Sequence, residues 1–261
     1  MTLTMADAPL ASTGPDTVNY TIDGPRHRLL MTPFPRRVRA EFGGATVFDT
    51  RHGQLLHESN LLPVLYVPVD DIDTALLEPT DHSTHCPFKG DASYWSVRSG
   101  DRLAQNAVWG YDTPIDGVEW LRGRRAFHWD RLDAWYDEAE EVFGHLRDPY
   151  HRVDVRESDA RVTVRLGDTV VAESGAPMLL SETGLPNRWY LPPSDVRMDL
   201  LRRSDTTTVC PYKGTSTYWS FIGGDGHVDD VAWSYEQPLD DARRVAGHLA
   251  FDGDDVTIDV R

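Results

Sequence analysis

The chain has 261 residues, 40% of them hydrophobic and 26% charged, which is enough for one large domain or two small ones with real cores. Its formal net charge is −16, so phosphate backbones and anionic lipid are repelled, and nucleic acid and membrane surfaces are not expected partners. Two cysteines make no disulfide framework, and no apolar run is long enough to span a bilayer.

The chain opens with "MTLTMADAPLASTGPDTVNY", which carries neither a positive n-region nor an apolar h-region. Cytoplasmic residence is the expectation. Residues 1–36 begin rich in Pro, Gly, Ser, Thr and Asp, and read as a poorly ordered arm.

From Val38 onward the sequence repeats itself. A shift of 124 residues aligns it without a gap to Phe127. "STHCPFKGDASYWSV" (83–97) lies on "TTVCPYKGTSTYWSF" (207–221), and "WGYDTP" (109–114) lies on "WSYEQP" (233–238). The period is too long for a solenoid, whose repeats run to about 20–50 residues. Two copies of a small domain are expected, packed about a pseudo-twofold as an intramolecular dimer. Whether the chain is a monomer or a homodimer stays open.

Within each copy the pattern is mostly strand. "VRAEFGG" and "VTVRLGD" alternate apolar and polar residues up to a turn, with "ATVFDT" and "TVVAES" as hairpin partners. "VLYVPV" and "RWYLPP" carry Pro, which suits an edge strand or a strand end. "ASYWSV" and "STYWSF" are β-branched or aromatic runs, followed by "AQNAVWGY" and "VDDVAWSY". Short helical turns are expected at "PIDGVEWLRG" and "PLDDARRVAG", stopped by Gly. The fold class is therefore mainly β: two homologous bent-sheet domains, tent- or sandwich-like. The boundaries are an arm at 1–36, a first repeat at 37–128, a connector at 129–150 and a second repeat at 151–261. The connector, "WDRLDAWYDEAEEVFGHL" (129–146), places Leu132, Trp135, Tyr136, Ala139, Val142 and Phe143 on one helical stripe, and predicts an α-helix.

The candidate site residues come from comparing the copies. Of 26 basic residues, the only lysines are Lys89 and Lys213, at equivalent positions in "CPFKG" and "CPYKG". Arg does not serve there. Lysine offers a compact ammonium that can lose its proton when buried, hold an anion as a point charge, or make one buried ion pair in a narrow slot. Glu58 and Glu182 are its natural partners. Cys86 and Cys210, beside the lysines, read either as nucleophiles or as small buried apolar groups. His82 and His85 flank only the first, because Thr206 and Val209 stand beside the second. A Cys–His pair therefore exists in one copy at most, and one Cys per copy cannot build a four-ligand zinc site. No metal and no cofactor are expected. Tyr66, Tyr94, Trp95, Trp109 and Tyr111 recur as Tyr190, Tyr218, Trp219, Trp233 and Tyr235. Adjacent strand residues face opposite sides, so Tyr94 and Trp95 part company, as do Tyr218 and Trp219. Aromatic walls with a Lys and a Glu suit a small-molecule pocket, and equally a β core closed by one salt bridge.

"TxCPxKGxxxYWS", followed by "WxYxxP" and "AF", resembles domain-of-unknown-function family 427, small β-rich bacterial domains with this Cys-Pro-aromatic-Lys-Gly signature. The resemblance covers about 38–128 and 162–261, with matching acids (Glu58, Glu182) and "YxP" segments (Tyr66–Pro68, Tyr190–Pro192). It implies a bent two-sheet module of the tent kind. Proteins of this kind are sometimes labelled nucleotidyltransferases, but this chain has no Gly-Ser pair with spaced aspartates to hold two metals. The functional expectation is binding of a small polar or anionic molecule in an aromatic- and Lys-lined pocket of each repeat, anchored by Lys89 and Lys213, with Glu58 and Glu182 positioning the lysines. The alternatives are an enzyme, a transferase or hydrolase using the motif Lys or Cys, and a structural or interaction module with no small-molecule site.

Overall fold

The computed structural model describes residues 3–6, 8–223 and 226–261. The chain divides into two compact units, Met1–Tyr150 and His151–Arg261. Among the described residues no helix is long and apolar enough to cross a membrane.

The first unit contains β1 (Leu29–Pro33), β2 (Val38–Phe42), β3 (Ala45–Thr50), β4 (Gln54–Glu58), β5 (Val64–Pro68), β6 (Leu77–Cys86), β7 (Gly90–Ser99), β8 (Arg102–Gly110), β9 (Arg124–Phe127), β10 (Ala134–Asp137) and β11 (Glu140–Val142). They form a seven-stranded antiparallel sheet, β1-β4-β5-β9-β8-β7-β6, and a four-stranded one, β11-β10-β2-β3. The second unit contains β12 (Val153–Glu157), β13 (Val162–Leu166), β14 (Thr169–Ser174), β15 (Met178–Glu182), β16 (Arg188–Tyr190), β17 (Leu201–Cys210), β18 (Gly214–Phe221), β19 (Val228–Ser234), β20 (Leu249–Phe251) and β21 (Val256–Val260). Here β12-β15-β16 and β17-β18-β19-β20 are joined by a single bridge, Leu191 to Leu249, and β14-β13-β21 makes the smaller sheet. The protein is mainly β, and the two units share one strand plan.

Strand alternation gives the large sheet two apolar faces. In the first unit Leu55, Leu65, Val67 and Phe127 join Ala40, Phe48 and Trp135 of the smaller sheet in the main core. Their neighbours Leu56, Tyr66 and Ala126 point the other way, into a second cluster with Tyr111 and Leu121. The second unit repeats this division, with Leu191, Leu249 and Phe251 on one side and Leu180, Tyr190 and Ala250 on the other. The short turns expected at "PIDGVEWLRG" and "PLDDARRVAG" are 3₁₀ segments, Glu119–Leu121 and Asp240–Val245, which cap the second cluster with buried Leu121, Ala242 and Val245. Gly123 and Gly247 follow them at φ +72° and +70°.

The predicted connector helix is absent. Residues 129–131 form one 3₁₀ turn, and β10 and β11 make a hairpin whose first strand pairs with β2. Trp135 lies opposite Ala40, packs edge-on against Phe48 and stacks on Trp129 at 4.3 Å. The helical stripe was real as a spacing, but Leu132 and Trp135 are also compatible with a turn and a strand. Pairing with an open edge of β2 satisfies the backbone and buries Trp135. The counterpart is β21, which pairs with β13 as β10 pairs with β2. "VLYVPV" is likewise not an edge: β5 lies between β4 and β9, with Pro68 at its end.

The first 36 residues also differ from the expected loose arm. Leu29–Pro33 pair with β4, as Val153–Glu157 pair with β15, so this strand belongs to the repeat. Further upstream, Thr4 and Ala11 are fully buried. The Thr4 carbonyl accepts from the Asn60 backbone at 2.9 Å, and the Leu10 carbonyl accepts from the Ser59 hydroxyl at 3.1 Å. Met1, Thr2 and Asp7 lie outside the described residues.

Because residues 134–142 complete the four-stranded sheet of the first unit, Trp135→Ala removes a buried, stacked core side chain. We expect a loss of about 3–5 kcal/mol in urea unfolding, against little change for Phe143→Ala, which is exposed.

Candidate functional site

Each "CPxKG" segment is the turn between two long strands. Cys86 pairs with Gly90 across the β6–β7 end, and the Cys86 carbonyl accepts from the Lys89 backbone N–H at 3.2 Å. Cys210, Lys213 and Gly214 repeat this in the second unit. Pro supplies the fixed φ that the first central position of such a turn favours. Gly90 and Gly214 sit at φ +100° and +101°, and a Cβ on Gly90 would come within 3.3 Å of the Thr113 carbonyl. The closeness has a cause: Ile115 N–H donates to the Lys89 carbonyl at 3.2 Å, and Leu239 N–H to the Lys213 carbonyl at 3.0 Å. The turn is therefore clamped from outside, which aims the lysine inward.

Lys89, 8% exposed, ion-pairs with Glu58 at the end of β4, and Lys213 pairs with Glu182 at the end of β15. The other oxygen of each carboxylate is also taken. His27 Nε2 lies 2.7 Å from Glu58 Oε1, and His151 Nε2 lies 3.0 Å from Glu182 Oε1. Each histidine packs against the aromatic of the turn: His27 stacks on Phe88 at 3.8 Å, and His151 lies tilted against Tyr212 at 3.9 Å. In both copies His, Glu and Lys are spaced by 31 and 31 residues. Burial opposes ionisation of Glu182, but the His151 and Lys213 hydrogen bonds outweigh it and hold the carboxyl down to about 2.

These histidines were missed in the sequence. The repeat was traced back only to Val38, whereas the same register carries on to "RHR" (26–28) against "YHR" (150–152). The intervening β1 and β12 share almost no residues, which hides the match.

The aromatic residues divide as strand geometry demands. Trp95 and Trp219 pack against the main cores. Tyr66, Tyr94, Trp109 and Tyr111 lie on the Lys–Glu side in the first unit, and Tyr190, Trp233 and Tyr235 do so in the second. Cys86 and Cys210 are half-buried against the same clusters. Lys89 Nζ lies 5.9 Å from the Tyr111 ring centre. Trp233 Nε1–H donates to the Tyr190 hydroxyl at 3.1 Å. Tyr218 shares hydrogen bonds with Thr208 at 3.0 Å, as Tyr94 does with Thr84 at 3.0 Å. Burial pushes the Tyr66, Tyr111, Tyr190 and Tyr235 hydroxyls well above the ordinary tyrosine range, so they stay protonated.

In the second unit this side opens as a cleft of about 660 Å³. Lys213, Glu182, Tyr190, Tyr218, Trp233 and Tyr235 line it. Trp219 and Cys210, grouped with them from sequence, are not part of that lining. Four charged residues that sequence comparison did not single out complete the wall: Arg188, Asp230, Asp252 and Asp254. The first three were invisible because the first repeat has Val64, Asn106 and His128 in those places, and doubling was the signal used. Asp254 does match Asp130, but just beyond Phe127, where the traced repeat stops. Among the described residues no group of three or more His, Cys, Asp or Glu is placed to hold a metal ion.

Two outcomes test the ion pair. Lys89→Met strands a buried carboxylate and should cost about 3 kcal/mol or more in urea unfolding, with much of it recovered in Lys89→Met/Glu58→Gln. A cost under about 1 kcal/mol would show the pair to be dispensable. For Glu182 the folded value lies below the ordinary 4.5, so its stabilisation is complete above about pH 4.5 and lost as pH falls toward 2. Glu182→Gln should therefore flatten the acid limb of the stability profile between about pH 4.5 and 2.

Two segments, residues 30–138 and 154–261, match the family described as "Domain of unknown function (DUF427)". No curated protein gives a match. With both repeats covered from the first strand to the closing one, the chain belongs to the DUF427 family, as a tandem duplication of its domain.

Proposed function

We propose that each repeat is a small-molecule-binding module, and that the cleft of the second unit is a binding site for a small polar molecule. The observation that carries this reading is convergence. Residues chosen only because they recur, Lys213, Glu182, Tyr190, Tyr218 and Trp233, lie around one cavity of about 660 Å³, within the size range of ligand pockets. A β core closed by a salt bridge has no need of a cavity on that side. The wall combines aromatic faces with a few fixed polar groups, the usual basis of orientation and selectivity in such pockets.

The lysine is a positioning residue in this reading, because its ammonium is already bound to Glu182. The pair sets the floor of the cleft, and Tyr218 and Trp233 supply the contact surface.

A thermal-shift screen of the full chain against small polar metabolites checks this. At least one compound should raise Tm in a saturable way, and Tyr218→Ala and Trp233→Ala should each reduce that affinity by about tenfold. Shifts that survive both substitutions, or a screen with no stabilising compound, would overturn the reading.

A further inference from the structure

The charge of the second cleft narrows its ligand. We propose that it takes a small organic cation, of the alkylammonium or quaternary ammonium class, and that the first repeat lacks this preference; the inference rests on the cleft being a ligand site, as argued above.

Among the described residues, four carboxylates line the cleft, from Glu182, Asp230, Asp252 and Asp254, against two cations. Both cations are already engaged: Lys213 with Glu182, and Arg188 Nη2 with Asp252 at 2.7 Å. Asp230 accepts from the hydroxyls of Ser204 at 2.6 Å and Thr206 at 2.7 Å. These neutral donors orient the carboxylate without cancelling its charge. An entering anion therefore meets excess negative charge and no uncommitted cation, while an entering cation gains on both counts.

The wall also holds a cation of its own. The Arg188 guanidinium carbon lies 5.7 Å from the centre of the Trp233 ring while its nitrogen rests on Asp252. An aromatic face plus a carboxylate is the arrangement that receives alkylammonium groups. Arg188 occupies part of that place, and its side chain is 36% exposed, free to be displaced toward solvent.

The first repeat supplies the contrast. In its register Arg188, Asp230 and Asp252 become Val64, Asn106 and His128. Asn106 and Asp230 hold the same left-handed position, at φ +50° and +51°, and each backbone N–H donates to the matched serine, Ser96 or Ser220. The protein thus already tolerates the neutral residue at that bulge.

Tryptophan fluorescence and calorimetric titration of the full chain with choline chloride, at constant ionic strength, test the idea. The controls are the neutral isostere 3,3-dimethylbutan-1-ol and inorganic phosphate. Choline should bind at least tenfold more tightly than the alcohol. Asp230→Asn should weaken choline binding about fivefold or more with Tm unchanged. Arg188→Val should tighten it severalfold, because it removes the resident cation and frees Asp252. Equal binding of choline and the alcohol would overturn the cation assignment. So would phosphate binding that Arg188→Val weakens, although a ligand site would remain in the cleft in either case if Trp233→Ala abolished the signal. No response to choline also overturns the inference, whatever the other probes do, while the metabolite screen separately decides whether the cleft binds anything.

Discussion

Each unit is organised around one carboxylate that is almost out of water. Glu58 and Glu182 would be costly as bare buried anions, and each is held by a lysine on one oxygen and a histidine on the other. Three distant pieces of chain must meet for this: the segment ahead of the first strand, the end of the fourth, and the turn between the two long strands. The contact thus fixes the edge of the large sheet and the orientation of the long hairpin together. It also accounts for lysine in a chain that otherwise uses arginine. The position is buried beside a tyrosine ring, where a compact ammonium reaches one carboxylate oxygen and leaves the other for the histidine; a planar guanidinium would compete for both.

That constraint produces a sheet with two occupied faces. One face packs against the small sheet and forms the main core. The other carries the triad and a second apolar cluster capped by a 3₁₀ segment. Because the second face is covered by short turns rather than by another sheet, it can hold a concave surface. The same alternation that sends Trp219 into the core sends Tyr218 to the cleft. Duplication then allowed the two surfaces to diverge. The two copies share the triad and the aromatic residues, and they differ at Val64 against Arg188 and His128 against Asp252, which puts two charged side chains on the wall of the second cleft.

Much of this was legible in one sequence because the sequence contains its own comparison. Two copies separated by 124 residues exposed the lysines, the acids and the doubled aromatics, and their family signature placed both repeats. Alternation and turn residues were enough for the hairpins β2–β3 and β13–β14, because those signals are local. Segment 129–146 has a helical spacing of its own, yet "VTIDV" at the end of the second copy is a strand in the matching place. A 3.6-residue period in an acidic segment is weak when a neighbouring strand offers an open edge.

What the sequence determined by itself is the duplication, the β character, and the matched lysines and acids as candidate partners; that Lys89 meets Glu58 and Lys213 meets Glu182 is a finding of the folded structure. What only the tertiary structure decided is the third member of each triad and the charge of the cleft. His27 and His151 lie 31 residues from their carboxylates, beyond strands whose side chains share almost nothing. Arg188, Asp230 and Asp252 differ between the copies, so no internal comparison selects them. Their meeting depends on strand register and on which face each residue takes, and those are properties of the folded sheet rather than of any local stretch of chain.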